Sequence, residues 1–212
     1  MREIEYINQL RQYNKKAIAL FSKNPQAQKK RELWVSKNFL LNLDIPFDPI
    51  KDLTKNMANF PDIFFLDARF EIKEVFDRDR RRSDEYKEYQ KKLEATSQSS
   101  ELIEYFSPIN LTLSEIGDII ISGCEKIAAK RQISLHEKKR TDLLFYFNLQ
   151  DCFLHGKILP DKASFSNFGW RSISVLDGNA SMVLFAAPTA PTFIREKEGS
   201  ISVNPNPKNL LQ

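Results

Sequence analysis

The sequence predicts an α/β fold in which helices flank a β-sheet, and three stretches carry that prediction. Phe60 to Phe76 reads as two short apolar strands joined by a tight turn. Thr112-Leu113-Ser114-Glu115 is a capping box that opens an amphipathic helix. Leu143 to Phe147 is an unbroken apolar run of strand length, suited to a central strand buried on both faces. Strands interleaved with helices are the pattern of a helix-covered sheet.

The remaining elements follow in order. Ile4, Ile7, Leu10, Ala17, Ile18 and Phe21 give a broken helical period over 3–22. Asn24-Pro25 interrupts it, and a second helix runs from Gln26 to Leu43, with Val35, Ser36, Phe39, Leu40 and Leu43 on one face. Glu32 lies near the middle of that face, where a glutamate either pairs with a core Arg or Lys or is directed at a site. Residues 45–59 are loop-like, carry Pro46 and Pro49, and have room for a short edge strand.

Ser83 is the N-cap of a third helix, with Asp84 and Glu85 in its first turn and Tyr86, Tyr89 and Leu93 at helical spacing. Leu102 to Phe106 makes a further helical turn. Leu113, Ile116, Ile120, Cys124, Ile127 and Ala128 form the apolar stripe of the capped helix. Arg171 to Leu176 alternates with Ile173 and Val175 inward, Asp177-Gly178 turns the chain, and Ser181 to Ala187 returns. One domain over 1–195 is expected, followed by a polar, flexible tail over 196–212.

Composition removes several classes of function. At 212 residues with 42% hydrophobic and 28% charged content, the chain can build a real core, filled largely by its sixteen Phe. Two cysteines, Cys124 and Cys152, are too few for a disulfide framework. Two histidines and two scattered cysteines make no zinc set, since Arg140 stands where His136-Glu137 would need its second His. Six single glycines form no phosphate loop, so no nucleotide cofactor is expected. No run has the length of a membrane span or signal peptide, which leaves a cytosolic location as the expectation. A net charge of +4 permits an anionic partner. Seven Lys or Arg and no acid lie between Tyr6 and Arg31, a run best explained as a solvated helix face.

The Phe60–Phe76 hairpin holds the one constellation with a mechanism attached. Asp62, Glu71 and Lys73 are charged residues inside otherwise apolar strands, and an unpaired buried charge is costly. With Asp67-Ala68 as a two-residue loop, Leu66 faces Arg69, Phe64 faces Glu71 and Asp62 faces Lys73. The three charges then project from one face with Phe64, Leu66, Arg69 and Val75, while Ile63, Phe65, Phe70, Ile72 and Phe76 face the core. Two carboxylates suit Mg²⁺ or Mn²⁺, and the ammonium can orient a water or stabilise developing charge. The alternative is a structural cross-strand pair of Asp62 and Lys73. Just downstream, Arg80, Arg81 and Arg82 either meet a nucleic-acid backbone or pair with Asp77, Asp79 and Asp84.

Pro61-Asp62 followed by Glu71-Ile72-Lys73 resembles the PD-(D/E)xK signature of the restriction-endonuclease-like superfamily. Together with Arg31-Glu32-Leu33-Trp34-Val35, Gly169-Trp170-Arg171-Ser172 and Leu184-Phe185-Ala186 leading to Pro188 and Pro191, the hairpin is similar to an uncharacterised bacterial family described as putative endonucleases. The resemblance runs from the second helix to about Phe193. It implies a restriction-endonuclease-like core, a mixed β-sheet flanked by helices. In order, that core is a helix, a three-stranded antiparallel unit carrying the site, a helix, and a strand pairing in parallel. It further implies a metal set of Asp62 and Glu71 completed by Glu32, with Lys73 catalytic. Trp170-Arg171 belongs to the same pattern, with a buried Trp and a salt-bridged or stacked Arg as the expected role. The function expected is a Mg²⁺-dependent nuclease acting on DNA or RNA. The alternative is a catalytically silent nucleic-acid-binding or regulatory protein on the same fold.

Overall fold

The computed structural model describes residues 3–56, 60–76, 84–103, 107, 109–149, 152–156 and 158–204. In chain order the first elements are α1 (Glu3–Phe21), α2 (Pro25–Asn42), β1 (Leu53–Lys55), β2 (Ile63–Phe65), β3 (Ala68–Phe76) and α3 (Asp84–Ala95). There follow β4 (Ile109–Thr112), α4 (Leu113–Arg131), α5 (Leu135–Lys138), β5 (Asp142–Asn148) and β6 (Cys152–His155). The chain continues with α6 (Ala163–Ser166), β7 (Ser172–Asp177), β8 (Ala180–Ala186), α7 (Thr192–Arg195) and β9 (Ile201–Val203). The chain groups into two compact units, residues 1–31 with 77–107 and residues 32–76 with 108–210. Ile201–Val203, in the stretch that composition assigns to the tail, pairs with β8 as an edge strand.

The smaller unit is helical. Phe21 of α1 stacks on Tyr86 of α3 at 5.2 Å and 12° between rings. The Asn14 amide, buried between the helices, donates to Tyr86 O at 2.7 Å and Gln90 Oε1 at 3.1 Å. Arg11 Nε donates to Leu93 O at 2.8 Å, which satisfies one of the last carbonyls of α3. The basic run along α1 therefore contains at least one cation with a structural task.

The larger unit holds a seven-stranded mixed sheet in the order β1-β2-β3-β5-β7-β8-β9. β1, β2 and β3 are antiparallel, β3, β5 and β7 are parallel, and β8 and β9 return antiparallel. A separate parallel pair, β4 with β6, lies outside what the sequence predicts. Leu143 to Phe147 of β5 are all buried, as a strand covered on both sides requires. α4 begins at the predicted capping box, in which Glu115 N donates to Thr112 Oγ1 at 3.2 Å and Thr112 N to Glu115 Oε2 at 2.7 Å. Its Ile116, Ile120, Cys124 and Ile127 pack with Leu143, Phe145, Phe147, Ile173 and Val175 in one core cluster. Gly123 is what lets the helix approach so closely, since a Cβ there would lie 2.7 Å from Phe145 Cε1. The other face of the sheet meets α2, where Phe39 contacts Phe70 edge-on at 5.7 Å and Trp34 contacts Tyr146 at 5.4 Å.

At the lower end of the parallel strands, Asp142 joins three of them. Its carboxylate accepts from Arg171 Nε at 3.0 Å, Ser172 Oγ at 2.8 Å and the Arg69 amide at 2.9 Å, and it also contacts Arg171 Nη2. Asp142 is 1% exposed and Arg171 9%, so the pair is dry. Burial pushes the Asp142 carboxyl up, against the opposing pull of Arg171, the Arg69 amide and Ser172. Trp170, beside it in sequence, is buried under the Lys138 ammonium at 5.6 Å from the ring centre, so the expected buried Trp and salt-bridged Arg are both present.

Asp142→Ala leaves the Arg171 guanidinium buried without its counter-charge, and urea unfolding is expected to show a loss of about 3–5 kcal/mol. Asp177, at the upper end of β7, has its carboxyl raised to about 6 by burial. Its folded pKa lies above its unfolded one, so the stability that Asp177 contributes is fully present at low pH and is lost as pH rises from about 4 through about 6. Asp177→Asn is therefore expected to gain on the order of 1–3 kcal/mol over wild type at pH 8 and to lose that advantage at pH 4. Denaturation curves at the two pH values check it.

Candidate functional site

The site is built on β3, and the β2–β3 register decides what faces what. Phe64 pairs with Arg69 and Phe65 with Ala68, so the two-residue loop is Leu66-Asp67, one position earlier than the sequence predicts. Leu66 adopts φ +50°, a region that a leucine enters only when its surroundings hold it there. The hold is visible, because Arg171 Nη2 donates to the Asp67 carbonyl at 2.9 Å. Moving the loop by one position displaces both strands together, so the alternation of faces survives. Extending the register by one pair sets Asp62 opposite Glu71, where the sequence sets it opposite Lys73.

Asp62 lies just before β2 begins. Its amide donates to Phe70 O at 2.9 Å, and its Oδ2 accepts from the Ile72 amide at 2.8 Å. A side-chain oxygen thus takes the part that a strand carbonyl plays further along the ladder. This fixes the carboxylate beside the backbone between Glu71 and Lys73. Glu71 is fully buried at 0% exposure, and its Oε1 contacts the ammonium of Lys73, whose side chain is 22% exposed. The pairs Glu71–Leu143, Lys73–Phe145 and Val75–Phe147 put these side chains on the face covered by α4.

Lys73 opens onto a cleft of about 280 Å³ between β3, β5 and α4. Val75, Ile119, Ile127 and Phe145 give it an apolar lining, and Lys126 of α4 adds a second ammonium. Glu74, also at the cleft, accepts from Asn148 Nδ2 at 2.9 Å. Phe76, which the strand pattern sends to the core, is 39% exposed at the end of β3. The pattern ends there because β3 outruns β2 by several residues and only β5 accompanies it.

Glu32 is in α2, the helix whose Trp34 and Phe39 meet the opposite face of the sheet. Among the described residues no group of three or more His, Cys, Asp or Glu is placed to share a metal ion, so Glu32, Asp62 and Glu71 do not form a three-carboxylate cluster. Arg80, Arg81 and Arg82 lie outside the described residues. Cys124 is buried, and burial pushes its thiol up to about 12, which removes it as a nucleophile at neutral pH. Sequence reasoning passed over Lys126 and Asp142. A lone acid heading an otherwise apolar strand was the available signal for Asp142. Nothing in the spacing of α4 distinguishes Lys126 from a solvated lysine.

Residues 2–206 match the model of a family described as putative endonuclease, protein of unknown function (DUF1780). The chain belongs to this family. No curated protein matches this family member. A solved structure of a protein of unknown function from Pseudomonas aeruginosa, described as of the monooxygenase superfamily, is 22% identical, with 96% of each chain covered and a TM-score of 0.61. At that identity the likeness shows the fold alone, a mixed α/β fold with a mixed sheet flanked by helices. No described helix of this DUF1780 chain is long and apolar enough to cross a membrane.

Removing the ammonium leaves the buried Glu71 carboxylate without its counter-charge. Lys73→Met is expected to destabilise the protein by on the order of 3 kcal/mol, and Glu71→Gln with Lys73→Met by clearly less than the sum of the single changes. A double-mutant cycle in urea measures the coupling.

Proposed function

We propose that this protein is a divalent-metal-dependent nuclease that hydrolyses phosphodiester bonds in nucleic acid through Asp62, Glu71 and Lys73. One observation carries the proposal. The Asp62 carboxylate is tied at 2.8 Å to the amide of Ile72, the residue between a buried glutamate and its lysine partner, and that lysine lines a cleft. Two carboxylates and an ammonium held together by a hairpin, with the lysine reaching solvent, are groups that metal-assisted hydrolysis can use. The family description supports the same chemistry. So does the order of elements: α2, the antiparallel β1-β2-β3, then α4 and the parallel β5 follow the restriction-endonuclease-like core that the sequence resemblance implies.

The donors fit a hard cation. Both Asp62 and Glu71 offer oxygen, and Mg²⁺ commonly binds through one or two carboxylates with substrate phosphate and water supplying the rest. A third carboxylate is not required, and the proposed set leaves Glu32 out. Bound there, Mg²⁺ or Mn²⁺ supplies Lewis acidity and a water acidified toward neutrality. Lys73 orients the attacking water and offsets negative charge developing on the phosphate. Arg80, Arg81 and Arg82, which begin four positions after the end of β3 in sequence, contribute contacts to the nucleic-acid backbone in this proposal.

The full burial of Glu71 favours one other reading, a catalytically silent nucleic-acid-binding or regulatory protein on the same fold. Plasmid, single-stranded DNA and RNA incubated with Mg²⁺ or Mn²⁺, against EDTA, separate the two. Asp62→Asn keeps an acceptor for the Ile72 amide and so preserves the hairpin, while weakening the metal set. It is expected to lower the cleavage rate by about a hundredfold or more, as is Lys73→Gln. Metal-dependent cutting that persists in both variants sinks the assignment. Metal binding by calorimetry, lost in Asp62→Asn without any cutting by wild type, moves the protein to the silent reading.

A further inference from the structure

Beside the proposed catalytic lysine lies a cleft that the hydrolytic step itself does not use. Its apolar surface comes from the partly exposed Val75 and Ile119, with Phe145 and Ile127 buried behind them. Among the described residues its cations are Lys73, which is paired with Glu71, and Lys126. Lys126 is exposed and has no ion-pair partner among the described residues. Among the described residues that line it, the one acid is Glu74, whose carboxylate accepts a hydrogen bond from Asn148. Phe76 presents an exposed ring at the end of β3. A solvated lysine would leave no apolar wall beside it, and a core defect would bring no cations.

The occupant that matches is anionic at one end and flat and apolar at the other. At about 280 Å³ the space is below the roughly 300–1,000 Å³ range of drug-sized ligand pockets, which suits one small unit. A base inside a duplex has both faces covered by its neighbours and its pairing edge occupied, so it cannot lie against Val75 and Ile119. An unpaired base can, and single strands are bound by this combination of backbone cations and apolar or aromatic surface. We infer that the cleft between β3 and α4 receives one unpaired nucleotide, with Lys126 on its phosphate, and that the substrate is single-stranded nucleic acid. The inference rests on the nuclease reading only for where the chain is cut. Gly123 is part of the device, because a side chain there would drive Phe145 out of the wall.

The test is binding of end-labelled oligothymidylate, oligouridylate and a matched duplex by fluorescence anisotropy, in EDTA so that nothing is cut. Two variants accompany wild type. Lys126→Glu changes an exposed residue and leaves the fold intact, and Ile119→Trp fills the cleft. Either oligomer is expected to bind at least tenfold more tightly than the duplex, and each variant to lose about tenfold for the single strand. Lys126→Glu is also expected to reduce the salt dependence of binding by about one counterion. Equal affinity for duplex, or a single-strand affinity unchanged in either variant, overturns the inference. Whether thymidylate or uridylate binds more tightly assigns DNA or RNA. Single-strand binding without metal-dependent cutting leaves the cleft assignment standing and removes the nuclease reading. Duplex cutting that Lys126→Glu does not affect does the reverse.

Discussion

The Asp142–Arg171 pair is the interaction on which the sheet's parallel core depends. Asp142 heads β5 with β3 on one side and β7 on the other, and its carboxylate bonds to a group from each. A buried ion pair is weak evidence for net stability, because desolvation costs about as much as the attraction returns. Its effect here is on register. With Arg69 N, Ser172 Oγ and Arg171 all converging on one carboxylate, a slipped β3 or β7 would strand a buried charge. That cost disfavours slipped pairings without making the correct one especially deep.

The same guanidinium reaches past Asp142 to the Asp67 carbonyl, and so controls the turn from which the site is hung. The turn sets how β2 faces β3. Asp62, just before β2 begins, answers the Ile72 amide with its side chain. Glu71 and Lys73 follow from alternation along β3. A network of structural charges at one end of the strands thereby fixes the position of functional charges further up. The two sets differ in solvent access: Asp142 and Arg171 are closed off, whereas the Lys73 side chain stays partly exposed at an open cleft.

Much of the framework was legible because it rests on local rules. The capping box at Thr112 and Glu115, the stripe on α4 and the unbroken apolar run of β5 each depend on residues close in sequence, and the structure shows each. The shared face of Asp62, Glu71 and Lys73 was legible for the same reason. Alternation has a period of two, and the loop moved in a way that keeps it. Less visible were short elements that exist only through partners. β9 is three residues in a polar stretch, and β4 and β6 pair with each other across some forty intervening residues, too far for any local pattern to signal.

By itself, then, the sequence determined which residues carry charge into the hairpin and which face they share, since composition and alternation need no tertiary partner. Tertiary structure decided where the hairpin turns. Leu66 is a poor loop residue by its own preference, and Asp67-Ala68 is the better local choice. Arg171, more than a hundred residues away in sequence, holds Leu66 at positive φ by bonding the next carbonyl, and so moves Asp62 from opposite Lys73 to opposite Glu71. Only the packed sheet also separates Glu32 from the hairpin carboxylates. A helical face read from sequence says that a residue points inward, and not which side of the sheet its helix will cover.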